Sequence, residues 1–334
     1  MAKRDRSVDA WEAISALRAE TDRTRFAEEL CKHFAHKAGV VVGKAALLGL
    51  ERQSDLEPFV DRLSPVMSAA FDRCMADPVK TDPGCSAKIG IVNLGVALHC
   101  LDADLYLRAV HHVQMEGSFG PPIDTAESLR AAAAYGLLNC RHADATYEIV
   151  KLLCEVDRRD PHRFPDSRRG AIRALGTVVS ETSAALLRMT AHRFARDPDT
   201  LCEAFTSLNS IEAGRSFDFI HGFLDDEDVD VRDIAALALA EGKQPRACPK
   251  LLEHAKRNLS QNPQAIFTAL AITRKPEAIE FLLERLGNGR DREATAALEA
   301  LHLMRHDEAT CRRVEQIVKV RGGAMVESFR NWKY

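Results

Sequence analysis

Apolar positions repeat along the C-terminal half of the chain with a period of 31 residues. AFTSLN at 204–209, AALALA at 235–240, IFTALA at 266–271 and ALEALH at 297–302 lie one over another. Leu208, Leu239, Leu270 and Leu301 share one position of the repeat, and Phe205, Ala236, Phe267 and Leu298 share another. A second ladder follows with Leu224, Ala255, Leu286 and Ile317. A third, Ile220, Leu251 and Leu282, breaks at Arg313, which has Val314 beside it. Two apolar stripes in one period describe a helical hairpin that can bury its apolar face only against neighbouring copies.

Local signals agree with helices. Val231, Ile234, Ala235 and Ala238 follow the i, i+3, i+4, i+7 spacing of a core-facing helix, with Asp230 expected to cap its start and Gly242 to end it. Pro263 and Pro276 are expected at first helical positions, where a missing N–H costs nothing. Alternating runs are scarce, so the chain reads as almost entirely α. Upstream the same helix ending recurs less regularly at KAALLG, IVNLG, AAAAYG and IRALG. Its glycines Gly49, Gly95, Gly136 and Gly176 are spaced by 46, 41 and 40 residues, and Asn209 joins them 33 later. About eight hairpins follow, irregular over 24–165 and regular over about 197–320, forming a single array over 1–320 with a tail at 321–334.

DEDVDVRDIAALALAEGKQPRACPKLLEHAKRN resembles a HEAT repeat, of the short bacterial kind also found in phycobilisome-lyase-like proteins. The Asp-rich turn, the pair Val231 and Arg232, the AAxAL helix and the pair Leu251 and Leu252 carry the resemblance, which extends loosely over 24–320 and strongly from 165 onward. It implies an all-α, right-handed α-solenoid and a binding or scaffolding role. Fold alone does not fix function.

Composition narrows the role further. Forty-six Lys and Arg stand against 49 Asp and Glu, for a formal charge of −3, so the chain lacks the general basic footprint of a nucleic-acid binder. The start, MAKRDRSVDAWEAI, has no apolar stretch of signal-peptide kind, and AGVVVGKAALLGL is broken by Lys44, so no membrane segment is expected. Nine cysteines without a C-x-x-C pair read as reduced thiols of a cytoplasmic protein.

The irregular half carries extra residues between hairpins, at 76–86, 116–125 and 158–167, and equivalent turns of a solenoid share one edge. That edge is the expected partner surface. In the middle loop Phe119 stands with Glu116, Asp124, Pro121 and Pro122. Either Phe119 is an aromatic anchor for a partner, or it tucks between hairpins while Asp124 or Thr125 caps the next helix. The third loop holds Arg158, Arg159, His162 and Arg163, followed by Arg168, Arg169 and Arg173, against Asp157, Asp160 and Asp166. Such a patch suits an acidic partner or a phosphate backbone, or is a solvated loop of local Arg–Asp pairs. Lys256 and Arg257 are the expected contacts if a partner lies on the second helices instead.

Catalytic constellations do not emerge. Cys31, His33 and His36 share a helical face without a further ligand, His99 and Cys140 fall in adjacent layers, and His111 and His112 point apart. Phosphate-binding glycine loops, a nucleophile elbow and H-E-x-x-H are missing. HEAT-like deoxyhypusine hydroxylases carry repeated His-Glu dipeptides, which this sequence lacks. HEAT-like DNA glycosylases line a basic face with aromatics, whereas here Trp11 and Trp332 are at the chain ends. The expectation is therefore a protein partner, no cofactor and no metal, with a glycosylase-like or other nucleic-acid role through 158–173 as the alternative.

Overall fold

The structure, a computed structural model, describes residues 6–156, 164–258, 263–330 and 332. The chain divides into two compact units, Met1–Ala174 and Leu175–Tyr334. Both are built of helices packed on helices. Among the described residues the one strand pair is a short antiparallel hairpin, Met115–Glu116 with Ile123–Asp124.

In the second unit the 31-residue period becomes layers. First helices Val229–Glu241, Gln264–Thr273 and Asp291–Leu301 pack in succession against the N-terminal half of Pro198–His221 and one another. Second helices Ala247–Arg257, Pro276–Asn288 and Glu308–Arg321 pack beside them. Leu208, Leu239, Leu270 and Leu301 are all buried, as are Phe205, Ala236, Phe267 and Leu298. The last layer differs from the strict period. Val314 and Val318 are buried where the ladders pointed to Arg313 and Ile317, because the turn after Leu301 is one residue longer than its predecessor.

Helix ends follow side-chain chemistry. Asp228, not Asp230, caps Val229–Glu241 by accepting from Asp230 N at 3.0 Å, and Asp102, Asp197 and Asp307 do the same for their helices. Pro276 opens its helix as expected, while Pro263 sits one residue before Gln264–Thr273. Val231 is buried, and Arg232 donates to the carbonyls of Asp226 and Glu227, closing the Asp-rich turn. Val229–Glu241 buries the ladder residues Ala236 and Leu239 as well as Val231, Ala235 and Ala238, with Ile234 half-buried, because it is covered by a first helix on each side.

Gly176 follows the end of Asp166–Leu175 as expected, but the other recurring glycines are not helix stops. Gly49, Gly95 and Gly136 lie inside Gly39–Glu51, Ser86–Ala97 and Glu127–Asn139. A Cβ on Gly136 would come within 2.3 Å of the Tyr106 ring, and one on Gly95 within 2.9 Å of its hydroxyl. These glycines let the helices of the first unit close around one buried tyrosine, whose hydroxyl donates to Cys100 O at 3.1 Å. Gly242 does end its helix, but in right-handed conformation; Lys243 after it takes the left-handed one.

Candidate functional site

The extra loops of the first unit are joined through a buried polar network. Asp82 sits at the D-P-G turn of the first loop, and its carboxylate accepts from Ala87 N at 2.8 Å and Lys88 N at 3.0 Å, opening the helix Ser86–Ala97. Lys88 turns back so that its ammonium lies 3.0 Å from Asp82 Oδ2, both side chains being fully buried. This is a charge contact rather than an aligned hydrogen bond. Gln114 then donates to Asp82 O at 2.9 Å, and Glu116 accepts from Gly84 N at 2.7 Å, which fixes the second loop on the first.

The second loop is the strand hairpin. Glu116 also accepts from Gln114 Nε2 at 2.6 Å and Thr125 Oγ1 at 2.7 Å. Burial pushes its carboxyl up, but these hydrogen bonds, that from Gly84 N and the field of Lys88 outweigh it and hold the group below the usual carboxylate range. Asp124 accepts from Gln114 N and Ala126 N, and its other oxygen lies 2.8 Å from Arg130. Thr125 donates to Glu116 and Gln114 O rather than capping the helix that follows. Arg130, itself buried, also donates to His112 O at 2.9 Å and pairs with Glu155 before the third loop. Asp166, on the far side of that loop, donates its N–H to Glu127 at 3.0 Å. Hydrogen bonds thus fix the second loop on the first, while Glu127 and Arg130 tie the helix after it to Asp166 and Glu155 on either side of the third.

Strand alternation decides what the hairpin shows. Gln114 points inward and is buried, while Val113 and Met115 point outward and are about half exposed. Phe119, at the turn between the strands, is fully exposed, so the tucked arrangement does not occur. Ser118 Oγ donates to Pro121 O at 2.8 Å and accepts from Gly120 N, which shapes the tip. Three large apolar side chains are thus exposed along one hairpin, Val113 and Met115 on its outer side and Phe119 at its tip.

Of the other expected residues, Arg158, Arg159, His162 and Arg163 lie outside the described residues. Arg168, counted with that basic patch, is buried and donates to Leu153 O at 3.1 Å and Glu155 O at 2.5 Å. It holds the loop's base and is not available to a phosphate. Lys256 and Arg257 are exposed on Ala247–Arg257 in the second unit, and Arg257 lies 3.8 Å from Asp225. Around them Lys250 pairs with Glu253, Arg313 with Glu280 and Arg285 with Glu284, so this surface is of mixed sign. Sequence reasoning missed Lys88 and Arg130; the one signal was charge inside otherwise apolar runs, as in AKIGIVNLG and ESLRAAAAYG.

The chemistry candidates remain separate. Burial pushes the Cys100 thiol up to about 11 and raises Cys140, which opposes thiolate formation. His36 accepts from Ala38 N at 3.1 Å, His111 bonds Glu148 at 2.8 Å and His112 bonds Gln114 at 3.1 Å. Among the described residues no three His, Cys, Asp or Glu groups are placed to hold a metal ion, and no helix is long and apolar enough to cross a membrane.

Comparison with protein families matches residues 224–302 to HEAT repeats. That span contains the hairpins Val229–Glu241 with Ala247–Arg257 and Gln264–Thr273 with Pro276–Asn288, then the helix Asp291–Leu301. The chain contains HEAT repeats over these residues. No curated protein matches it. The family match falls on the most regular layers, and the polar network lies in the unit where the loops lengthen.

Proposed function

We propose that this protein is a non-catalytic interaction scaffold, and that the hairpin edge of its first unit is where a protein partner docks. HEAT repeats are in general protein-interaction scaffolds. The observation that carries the reading is Phe119, fully exposed at the tip of a hairpin whose base is held by Glu116, Asp124, Gln114 and Arg130. A rigid mount keeps the ordering entropy of docking low, and an exposed aromatic flanked by Val113 and Met115 suits an apolar pocket on the partner. Glu116 and Asp124 belong to the mount, with their oxygens already engaged. Arg158, Arg159, His162 and Arg163, outside the described residues, are kept from the sequence alone as basic contacts for an acidic rim on the partner. Lys256 and Arg257 would serve a partner on the second helices.

The test is affinity capture from the native lysate with tagged wild type and Phe119→Ala. Removing one exposed ring should leave the thermal midpoint unchanged and weaken retention of a stoichiometric protein by tenfold or more, about 1.4 kcal/mol. Equal retention by both baits contradicts the docking edge. Retention of nucleic acid, lost steeply with added salt, contradicts the scaffold reading itself.

A further inference from the structure

The second unit holds a cavity of about 610 Å³ at the turns that join first to second helices, lined by Lys243, Arg274, Lys275, Cys248, Ile272 and Leu303 among others. This volume is in the range of ligand pockets. Three cations share its rim, all exposed, and none has an acid partner among the described residues. Glu277 is close enough to raise the Cys248 thiol by its charge, but it does not line the cavity.

Backbone conformation at this rim is unusual. Lys243 and Arg274 have φ of 52° and 51°, the left-handed region that glycine and asparagine enter most readily. Both stand where a helix ends and left-handed closure is common, so glycine would meet the local need without strain. At the equivalent turns of the first unit the left-handed residues are His99 and Arg141, again cationic or able to become so. A positive charge suits a helix C-terminus, which alone could select Lys243 and Arg274. Lys275 does not fit that explanation. It immediately precedes Pro276–Asn288, at the helix end where the dipole disfavours a cation. The shared property of all three is a positive charge on the rim of one cavity whose walls mix Ala271, Ile272 and Leu303 with the polar Gln244 and Thr273.

We propose that this cavity binds an anionic side chain, carboxylate or phosphoryl, carried by a peptide segment of a protein partner. The proposal rests on the scaffold reading and adds to it a second contact of defined charge. Lys243, Arg274 and Lys275 supply the attraction, and Ile272 and Leu303 receive an apolar neighbour of the acidic residue.

Fluorescence anisotropy of the full chain tests it with three labelled octapeptides at low salt: alternating Glu and Leu, the same with phosphoserine for Glu, and the same with Gln. One or both anionic peptides should bind and the Gln peptide should not; the tighter of the two names the source of the oxyanion. Lys243→Gly/Arg274→Gly should weaken binding by roughly tenfold while melting at or above wild type, since charge is lost and strain relieved. Lys275→Ser should weaken binding without touching either strained residue. Equal binding by the double variant, or no binding of either anionic peptide to wild type, overturns the proposal. Capture of a protein partner by the double variant at wild-type level also overturns the pocket and leaves the scaffold reading standing. Anionic-peptide binding by a chain that captures no protein does the reverse.

Discussion

In the second unit one leucine per layer does the same task four times, as Leu208, Leu239, Leu270 and Leu301, and the neighbouring helices differ little around each. In the first unit the helices instead close on a single tyrosine, with Gly95 and Gly136 cleared to admit Tyr106, and the loops are tied by the buried charges Lys88 and Arg130 with Asp82 and Asp124. Repetition lets each layer be stabilised by generic apolar burial. Longer loops break that repetition, and their buried backbone and charged groups then need dedicated partners, which Asp82, Lys88, Gln114 and Arg130 provide. Rigidity of the hairpin edge follows from this network.

Breaking the buried pair gives the largest expected effect. Asp82→Ala leaves the Lys88 ammonium buried without its counter-charge and removes two acceptors from the start of Ser86–Ala97. A loss of about 3–5 kcal/mol is expected in urea unfolding. A loss under about 1 kcal/mol would mean the pair is replaceable and the two units are held by the same kind of force. The glycines sharpen the contrast. Gly136→Ala drives a methyl into the Tyr106 ring and should cost about 1–3 kcal/mol. In the second unit Gly287→Ala would meet only Ile317 at an ordinary 3.5 Å and should gain about 0.5 kcal/mol in the same assay. Equal signs at the two positions would remove the distinction.

An effect between those of the two glycines is expected as a pH dependence within the regular unit. Burial lifts the Asp233 carboxyl from its ordinary 3.8 to about 6, helped by Asp230 and opposed by Arg232. Because the folded value is above the unfolded one, its contribution to stability is complete below about pH 3.8 and is lost as pH rises through about 6. Discounted for its partial exposure to solvent, Asp233→Asn should therefore gain on the order of 1 kcal/mol relative to wild type at pH 8 and little at pH 4. Thermal midpoints of both proteins at the two pH values check this; a constant difference would contradict the raised value.

The leucine and phenylalanine rungs were legible in the sequence because a fixed period superposes equivalent residues without knowledge of contacts. The register slip to Val314 and Val318 was visible only as a broken ladder, since one extra turn residue leaves no other mark. Glycine was misread in the first unit because a helix stop and a close approach use the same residue type. Lys88 and Arg130 left one mark in the sequence, a charge inside an apolar run, which does not by itself name the buried partner that each one has. Phe119 was legible as a candidate, and its exposure came from the strand hairpin, which is too short to show a period.

The central claim, that the braced hairpin of the first unit is where a protein docks, is tested most directly by placing a photo-crosslinking phenylalanine analogue at position 119. On irradiation in native lysate it should join the chain to one protein, and the same analogue at exposed Val320 on Glu308–Arg321 should not. A similar adduct pattern from both positions, or none from position 119, would contradict it.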